Sequence, residues 1–169
     1  MISLRAIDIL DAKCIYELID ENRVYLSKYL YWVNNIQSIE DEIAGITGMI
    51  KRSHQGVEFC FVIIEQNMNH TIGMIGITNI DYKLKECDCG YWIAEKYSGN
   101  GYARQALLCI ESFVRQHKIK KIILKCDDDN IASIKVAEKC KYELFATNNK
   151  ENCISNDATS ELIYRKIIC

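Results

Sequence analysis

The 169-residue sequence contains no proline at all, and no functional reading attaches to that absence. Other shortages exclude more. Lysine and arginine are scattered, and the net charge is −2. Binding a phosphate backbone needs a concentrated basic face, so nucleic acid is not expected as a partner. No apolar run approaches the roughly 20 residues that span a bilayer, so no membrane association is expected. The opening Met1-Ile2-Ser3-Leu4-Arg5 lacks the basic start and long apolar stretch of a signal peptide, which predicts a cytoplasmic protein. His54, His70 and His117 stand apart. Among nine cysteines only Cys87 and Cys89 are close in sequence, and no second pair has zinc spacing, so no metal site is expected. In a chain without a signal peptide, the cysteines read as reduced, small, buried side chains. No repeat, low-complexity tract or linker divides the chain.

What is present suits a soluble globular protein. Apolar residues make up 49% and charged residues 26%, enough for one sizeable core in a single domain spanning 1–169. Ile2 to Ala6 reads as a strand. Asp8, with Asp11 three residues on, caps a helix carrying Ile15, Leu18 and Ile19 at helical spacing. A second helical stretch is predicted from Arg23 to Val33, with Tyr25, Tyr29, Tyr31 and Trp32. A third begins after Ser38, where Glu40, Asp41 and Glu42 suit the helix dipole, and ends near Ser53.

The period then changes. Glu58 to Glu65, Thr71 to Ile80 and Glu86 to Ile93 read as an antiparallel meander. Ala94 to Gly101 is a loop before a helix whose apolar face includes Ala106, Leu107, Ile110 and Val114. Lys121 to Cys126 reads as a buried strand. Asp127, Asp128 and Asp129 read as a solvated turn, with Asn130 capping a helix. Tyr142 to Ala146 and Glu161 to Ile168 are the last strands, and Thr147 to Ser160 is expected to be mobile. This order predicts an α+β fold with a mixed sheet, unlike the alternating order of a dinucleotide fold.

The most informative stretch is Ser98-Gly99-Asn100-Gly101-Tyr102-Ala103-Arg104, between a strand and a helix. Its glycines permit a tight turn and close backbone approach to a ligand. The first helical N–H groups lack partners within the helix and, with the dipole, form an anion site. Arg104 in the first turn opposes the dipole, and a bound phosphate compensates it. A Gly-x-Gly before a helix is, taken alone, more often a simple tight turn. Dinucleotide and P-loop motifs are excluded, because Arg104 replaces a glycine and no Gly-Lys-Ser/Thr follows.

Read together, Gly90-Tyr91-Trp92-Ile93-Ala94-Glu95-Lys96-Tyr97 and the following Ser98-Gly99-Asn100-Gly101-Tyr102-Ala103 resemble the coenzyme-A-binding segment of the GNAT acetyltransferases. Asn130-Ile131-Ala132-Ser133 and Val136-Ala137-Glu138-Lys139 resemble a second block of that family. Glu21-Asn22-Arg23, Leu26, Leu30, Trp32-Val33 and Ser38-Ile39-Glu40-Asp41 resemble the RimJ/RimL branch, which acetylates protein N-termini. The resemblance implies a mostly antiparallel central sheet, with splayed central strands flanked by helices. It implies acetyl-CoA as co-substrate and an amine acceptor, a ribosomal or other protein N-terminus among the candidates; a homodimer is compatible with it.

By resemblance, Tyr91, Trp92 and Ile93 bind the pantetheine arm through their backbone. Ser98, Gly99, Asn100, Gly101, Tyr102, Ala103 and Arg104 cradle the pyrophosphate. Asn130 contacts the arm, and Ser133 lies near its sulfur. Two positions depart from the family. Ser98 replaces the usual Gln or Arg. Lys141 replaces a glycine at a helix end that commonly needs positive φ.

Ser133 is the candidate to hydrogen-bond a departing thiolate; the plainer alternative is a serine satisfying its own helix end. Asp88 is the candidate base, with a solvated sheet edge as the plainer alternative. Three functions remain open: acetylation of a protein N-terminus, acetylation of a small amine such as a polyamine, amino sugar or amino acid, and non-catalytic acyl-CoA sensing.

Overall fold

The computed structural model describes residues 1–168. Seven strands form a single sheet: β1 (Ile2–Ala6), β2 (Phe59–Glu65), β3 (His70–Asp81), β4 (Glu86–Ile93), β5 (Lys121–Asp127), β6 (Glu143–Asn149) and β7 (Ser160–Ile167). Their spatial order is β1-β2-β3-β4-β5-β7-β6. All neighbours pair antiparallel except β4 and β5, which are parallel. Five helices complete the chain: α1 (Ala12–Glu21), α2 (Arg23–Ser27), α3 (Ile39–His54), α4 (Tyr102–Gln116) and α5 (Ile131–Lys139). The fold is the expected α+β arrangement.

The two faces of the sheet bury different helices because side chains alternate along each strand. Cys87, Cys89 and Ile93 of β4 join Leu107, Ile110 and Val114 of α4 and Ala137 of α5 in one core. Trp92 of β4 and Met74 of β3 join Ile15 and Ile19 of α1 and Ile46 of α3 in the other. Ser38 and Asp41 make the predicted capping box on α3, whereas the Asp8–Asp11 box heads a 3-10 turn (Ile9–Asp11) that leads into α1, whose own start has no side-chain cap. At the end of α5, Tyr142 N–H bonds Ala137 O and Lys141 N–H bonds Glu138 O. This closure puts Lys141 at φ 62°, the left-handed backbone that glycine adopts at less cost.

Four expectations need correction. The stretch from Arg23 to Val33 is not one helix. α2 ends at Ser27, Leu30 is extended at φ −129°, and Tyr31–Asn35 form a 3-10 turn. The hydroxyls of Tyr25 and Tyr29 on either side of the end of α2 bond Ser98 and the Asp129 carbonyl. The aspartates after β5 are not a solvated turn. Asp127 is buried and accepts the N–H groups of Ile154 and Ser155 at 2.9 and 2.6 Å. Asp128 accepts Thr159 N–H at 2.9 Å and the Ser160 hydroxyl at 3.0 Å. The Thr159 and Ser160 hydrogen bonds lower its pKa to about 2. The segment before β7, expected to be mobile, is therefore stapled to the end of β5. The eight cysteines among the described residues are free, but Cys14 and Cys109 are exposed rather than buried.

Glu42 gives the fold a testable pH dependence. It lies in the first turn of α3 with 3% of its surface exposed, and burial raises its carboxyl pKa to about 7. In the unfolded chain the same group ionises near about pH 4.3. The unfolded state therefore loses this proton first, so stability falls as pH rises from about 4 to about 7 and stays reduced above that. Glu42→Gln is expected to flatten that slope and to stabilise the protein at pH 8 by on the order of 2 kcal/mol. Denaturant unfolding at pH 5 and pH 8 checks it; an unchanged slope counts against a buried, protonated Glu42.

Candidate functional site

The parallel pairing of β4 with β5 stops early. Glu86, Cys87 and Asp88 pair with Lys121, Ile122 and Ile123, and no pairing follows. Beyond that point Cys89–Ile93 and 124–127 diverge, leaving a wedge between the two central strands. Gly90 is exposed within this stretch, and an added Cβ would meet nothing within 4 Å. Helices begin just past the ends of both strands, α4 after β4 and α5 after β5. Both N-termini therefore lie towards the open end of the wedge.

The β4–α4 loop is built as an anion cradle. Gly99 and Gly101 take φ 79° and 76°, and open space lies where a Cβ would stand on either. The first backbone bond of α4 runs from Gln105 N–H to Gly101 O at 3.1 Å. The N–H groups from Gly99 to Arg104 have no acceptor among the described residues. Six adjacent donors at a helix N-terminus suit a phosphate group. The Asn100 amide turns back onto the carbonyls of Tyr97 and Ser98 at 3.1 and 3.3 Å, so it shapes the loop. Arg104 is exposed, and its guanidinium lies near the Cys140 thiol.

On the β5 side, Asn130 caps α5 by accepting the Ser133 N–H at 3.1 Å. That bond leaves the half-buried Ser133 hydroxyl unneeded by its own helix end. Tyr91 of β4 packs against the same core as α5. Burial raises the Tyr91 pKa, and the interaction with Ser133 opposes that rise; the phenol stays protonated. Cys126 of β5 borders the same core, and burial pushes its thiol up to about 12.

α2 bridges the mouth. Asn22 Oδ1 accepts Glu95 N–H at 2.9 Å, and the Tyr25 and Ser98 hydroxyls are 2.9 Å apart. On the opposite side the Tyr29 hydroxyl donates to Asp129 O at 3.2 Å, and Lys28 Nζ lies 3.1 Å from an Asp129 carboxylate oxygen. A groove of about 410 Å³ is lined by Val24, Ser27 and Lys28 and by the segment Ile154–Asp157, and Lys28 Nζ lies 3.8 Å from an Asp157 carboxylate oxygen.

Comparison with known proteins decides the family. The model of the acetyltransferase (GNAT) domain matches residues 2–143. The chain belongs to the GNAT acetyltransferase family. A ribosomal-protein-serine acetyltransferase of Escherichia coli (strain K12) is 29% identical over 163 residues, 92% of this chain and 87% of that protein. A structure of RimL, a ribosomal α-N-protein acetyltransferase in complex with coenzyme A, is similar at a TM-score of 0.93 and 26% identity. It covers 99% of this chain and 94% of that one. A Salmonella typhimurium acetyltransferase that modifies the N-terminal serine of a 50S ribosomal subunit protein has a TM-score of 0.88 and 25% identity. That match covers 99% of this chain and 95% of that one.

The chain is thus an acetyl-CoA-dependent acetyltransferase, and the wedge and cradle suit coenzyme A on physical grounds. The cradle offers donors to the pyrophosphate, and the diverging strands leave room for an extended arm. Tyr91 stands on β4, and Asn130 and Ser133 stand at the start of α5 after β5, with the cradle beyond the end of β4. The side chains of Trp92 and Ile93 are buried in opposite cores, so only their backbone is left for a ligand.

Asp88 occupies the last paired position before the wedge, inside the sheet and not at its edge. Its Oδ2 accepts Asn79 Nδ2 at 2.9 Å and Lys125 Nζ at 3.0 Å. Asn79 reaches it from a register shift in β3, at φ 51°; such irregularities re-aim side chains. No group of His, Cys, Asp or Glu among the described residues is arranged to hold a metal, and none of their helices is long and apolar enough to cross a membrane.

Sequence reasoning missed α2 as a bridge. Tyr25 and Tyr29 are four residues apart on a short helical segment, and their hydroxyls were the available signal. A helical spacing of aromatics favours a core reading, and of the four only Trp32 packs against the core.

Proposed function

We propose that this single-domain enzyme acetylates the α-amine of a protein N-terminus by direct attack within a ternary complex. The observation that carries the reading is the wedge between β4 and β5, open towards two helix N-termini. The names of the relatives support the acceptor class, as both the E. coli and Salmonella proteins act on ribosomal proteins. The groove between α2 and Ile154–Asp157 is polar and open, which suits a chain end. It adjoins the β5–α5 turn through Ser155, whose hydroxyl donates to Asp129 at 2.8 Å.

Acetyl-CoA, when bound, supplies a thioester activated for acyl transfer. The backbone N–H groups from Gly99 to Arg104 and the Ser98 hydroxyl hold its pyrophosphate. The backbone of Tyr91 to Ile93 lines its arm, and the Asn130 side-chain amide, whose oxygen is used in capping, offers its N–H₂ to it. An α-amine has a pKa of about 8, so a useful neutral fraction exists near pH 7 and little base strength is required. Asp88 accepts the proton that the amine releases, through water. Ser133 donates its hydroxyl proton towards the departing sulfur, with Tyr91 beside it. Holding the reactants together supplies much of the rate.

Thiol release from acetyl-CoA tests the acceptor class. Peptides with a free α-amine are expected to release thiol; the same peptides blocked at the N-terminus are not. Release only with a polyamine, amino sugar or amino acid would transfer the enzyme to small amines. No release with any amine, despite tight acetyl-CoA binding, would make the chain a sensor.

A further inference from the structure

We infer that Tyr25, on α2, is a ligand of the coenzyme pyrophosphate and acts jointly with Ser98. The inference rests on the reading of the β4–α4 loop as the cofactor cradle. Ser98 stands immediately before the six unpartnered N–H groups, and its exposed hydroxyl is 2.9 Å from the Tyr25 hydroxyl.

Two hydroxyls in one hydrogen bond use only one of their two protons. The second proton has no acceptor among the described residues, so a free donor remains at the edge of the anion cradle. The Asn100 amide is already engaged, because it bonds the loop's own carbonyls. A lone serine is short and carries no charge. Pairing it with a tyrosine from another element extends the donor and fixes its direction. Asn22 holds this end of α2 in place by accepting Glu95 N–H, so the tyrosine is positioned before any ligand arrives. Preorganised donors of this kind cost little ordering on binding.

Calorimetry provides the test, with acetyl-CoA and with S-acetylpantetheine, which ends before the pyrophosphate. Tyr25→Phe is expected to weaken acetyl-CoA binding about tenfold, the worth of one hydrogen bond to a charged group. Its affinity for S-acetylpantetheine and its unliganded melting temperature are expected to hold. Ser98→Ala is expected to lose a similar factor, and the double variant no more than about the larger single loss, because the two hydroxyls form one contact. Unchanged acetyl-CoA affinity in Tyr25→Phe overturns the inference. So do equal losses with both ligands, which mean that Tyr25 acts through the packing of α2, and fully additive losses in the double variant. Failure of the unaltered protein to bind acetyl-CoA would instead overturn the cradle itself.

Discussion

Gly101→Val is expected to weaken acetyl-CoA binding by roughly a hundredfold while leaving a folded protein. The residue takes φ 76° immediately before α4. An L residue pays about 1–2 kcal/mol there, which the fold tolerates. Nothing of the protein lies within 4 Å of the added Cβ, so the methyl groups project into the space where the phosphate oxygens approach. Each charge-assisted hydrogen bond lost costs about 1.5–3 kcal/mol, and the loss of two reaches that factor. Gly101→Ala carries the same backbone strain with less bulk and is expected to fall between. Calorimetry with a melting curve on each variant separates lost binding from lost fold. Unchanged affinity in a folded Gly101→Val protein removes the loop from the cofactor site.

Ser133→Ala is expected to lower kcat by roughly a hundredfold or more, the range for a positioned proton donor. Acetyl-CoA affinity is expected to change little, since the cradle is untouched. The competing role, a serine satisfying its own helix, predicts a loss of about 1 kcal/mol or less in stability with normal turnover. The structure favours the first. Asn130 already accepts the Ser133 N–H, so the helix end does not need the Ser133 hydroxyl. Measuring kcat, cofactor affinity and melting temperature on one variant decides between them. A normal kcat with a lowered melting temperature takes Ser133 off the catalytic list.

Much of this was legible in the sequence, for identifiable reasons. Strand and helix starts came through because their signals are local. Asp8 and Ser38 cap as their side chains dictate, and Glu86–Ile93 alternates across two cores. The Gly99–Gly101 turn was legible because positive φ selects glycine. Contacts between distant segments were not. Asp127, Asp128 and Asp129 look like a solvated acidic turn until residues 154–160 supply donors to them. Tyr25 and Tyr29 look like core aromatics until the fold puts Ser98 and Asp129 within reach. Asp88 reads as a carboxylate at a sheet edge, and only the parallel pairing of β4 with β5 sets Lys125 beside it. Register between strands far apart in sequence depends on tertiary packing, which composition and spacing do not encode.

The central claim is that acetyl passes from acetyl-CoA to an α-amine held at the wedge. The most direct measurement uses a peptide carrying both a free N-terminus and an internal lysine. The protein is incubated with this peptide and acetyl-CoA, and tandem mass spectrometry locates the acetyl group. A single acetyl on the α-amine, absent when acetyl-CoA is omitted and strongly reduced with Ser133→Ala, is the predicted result. Acetyl on the lysine side chain with the N-terminus left free would contradict it.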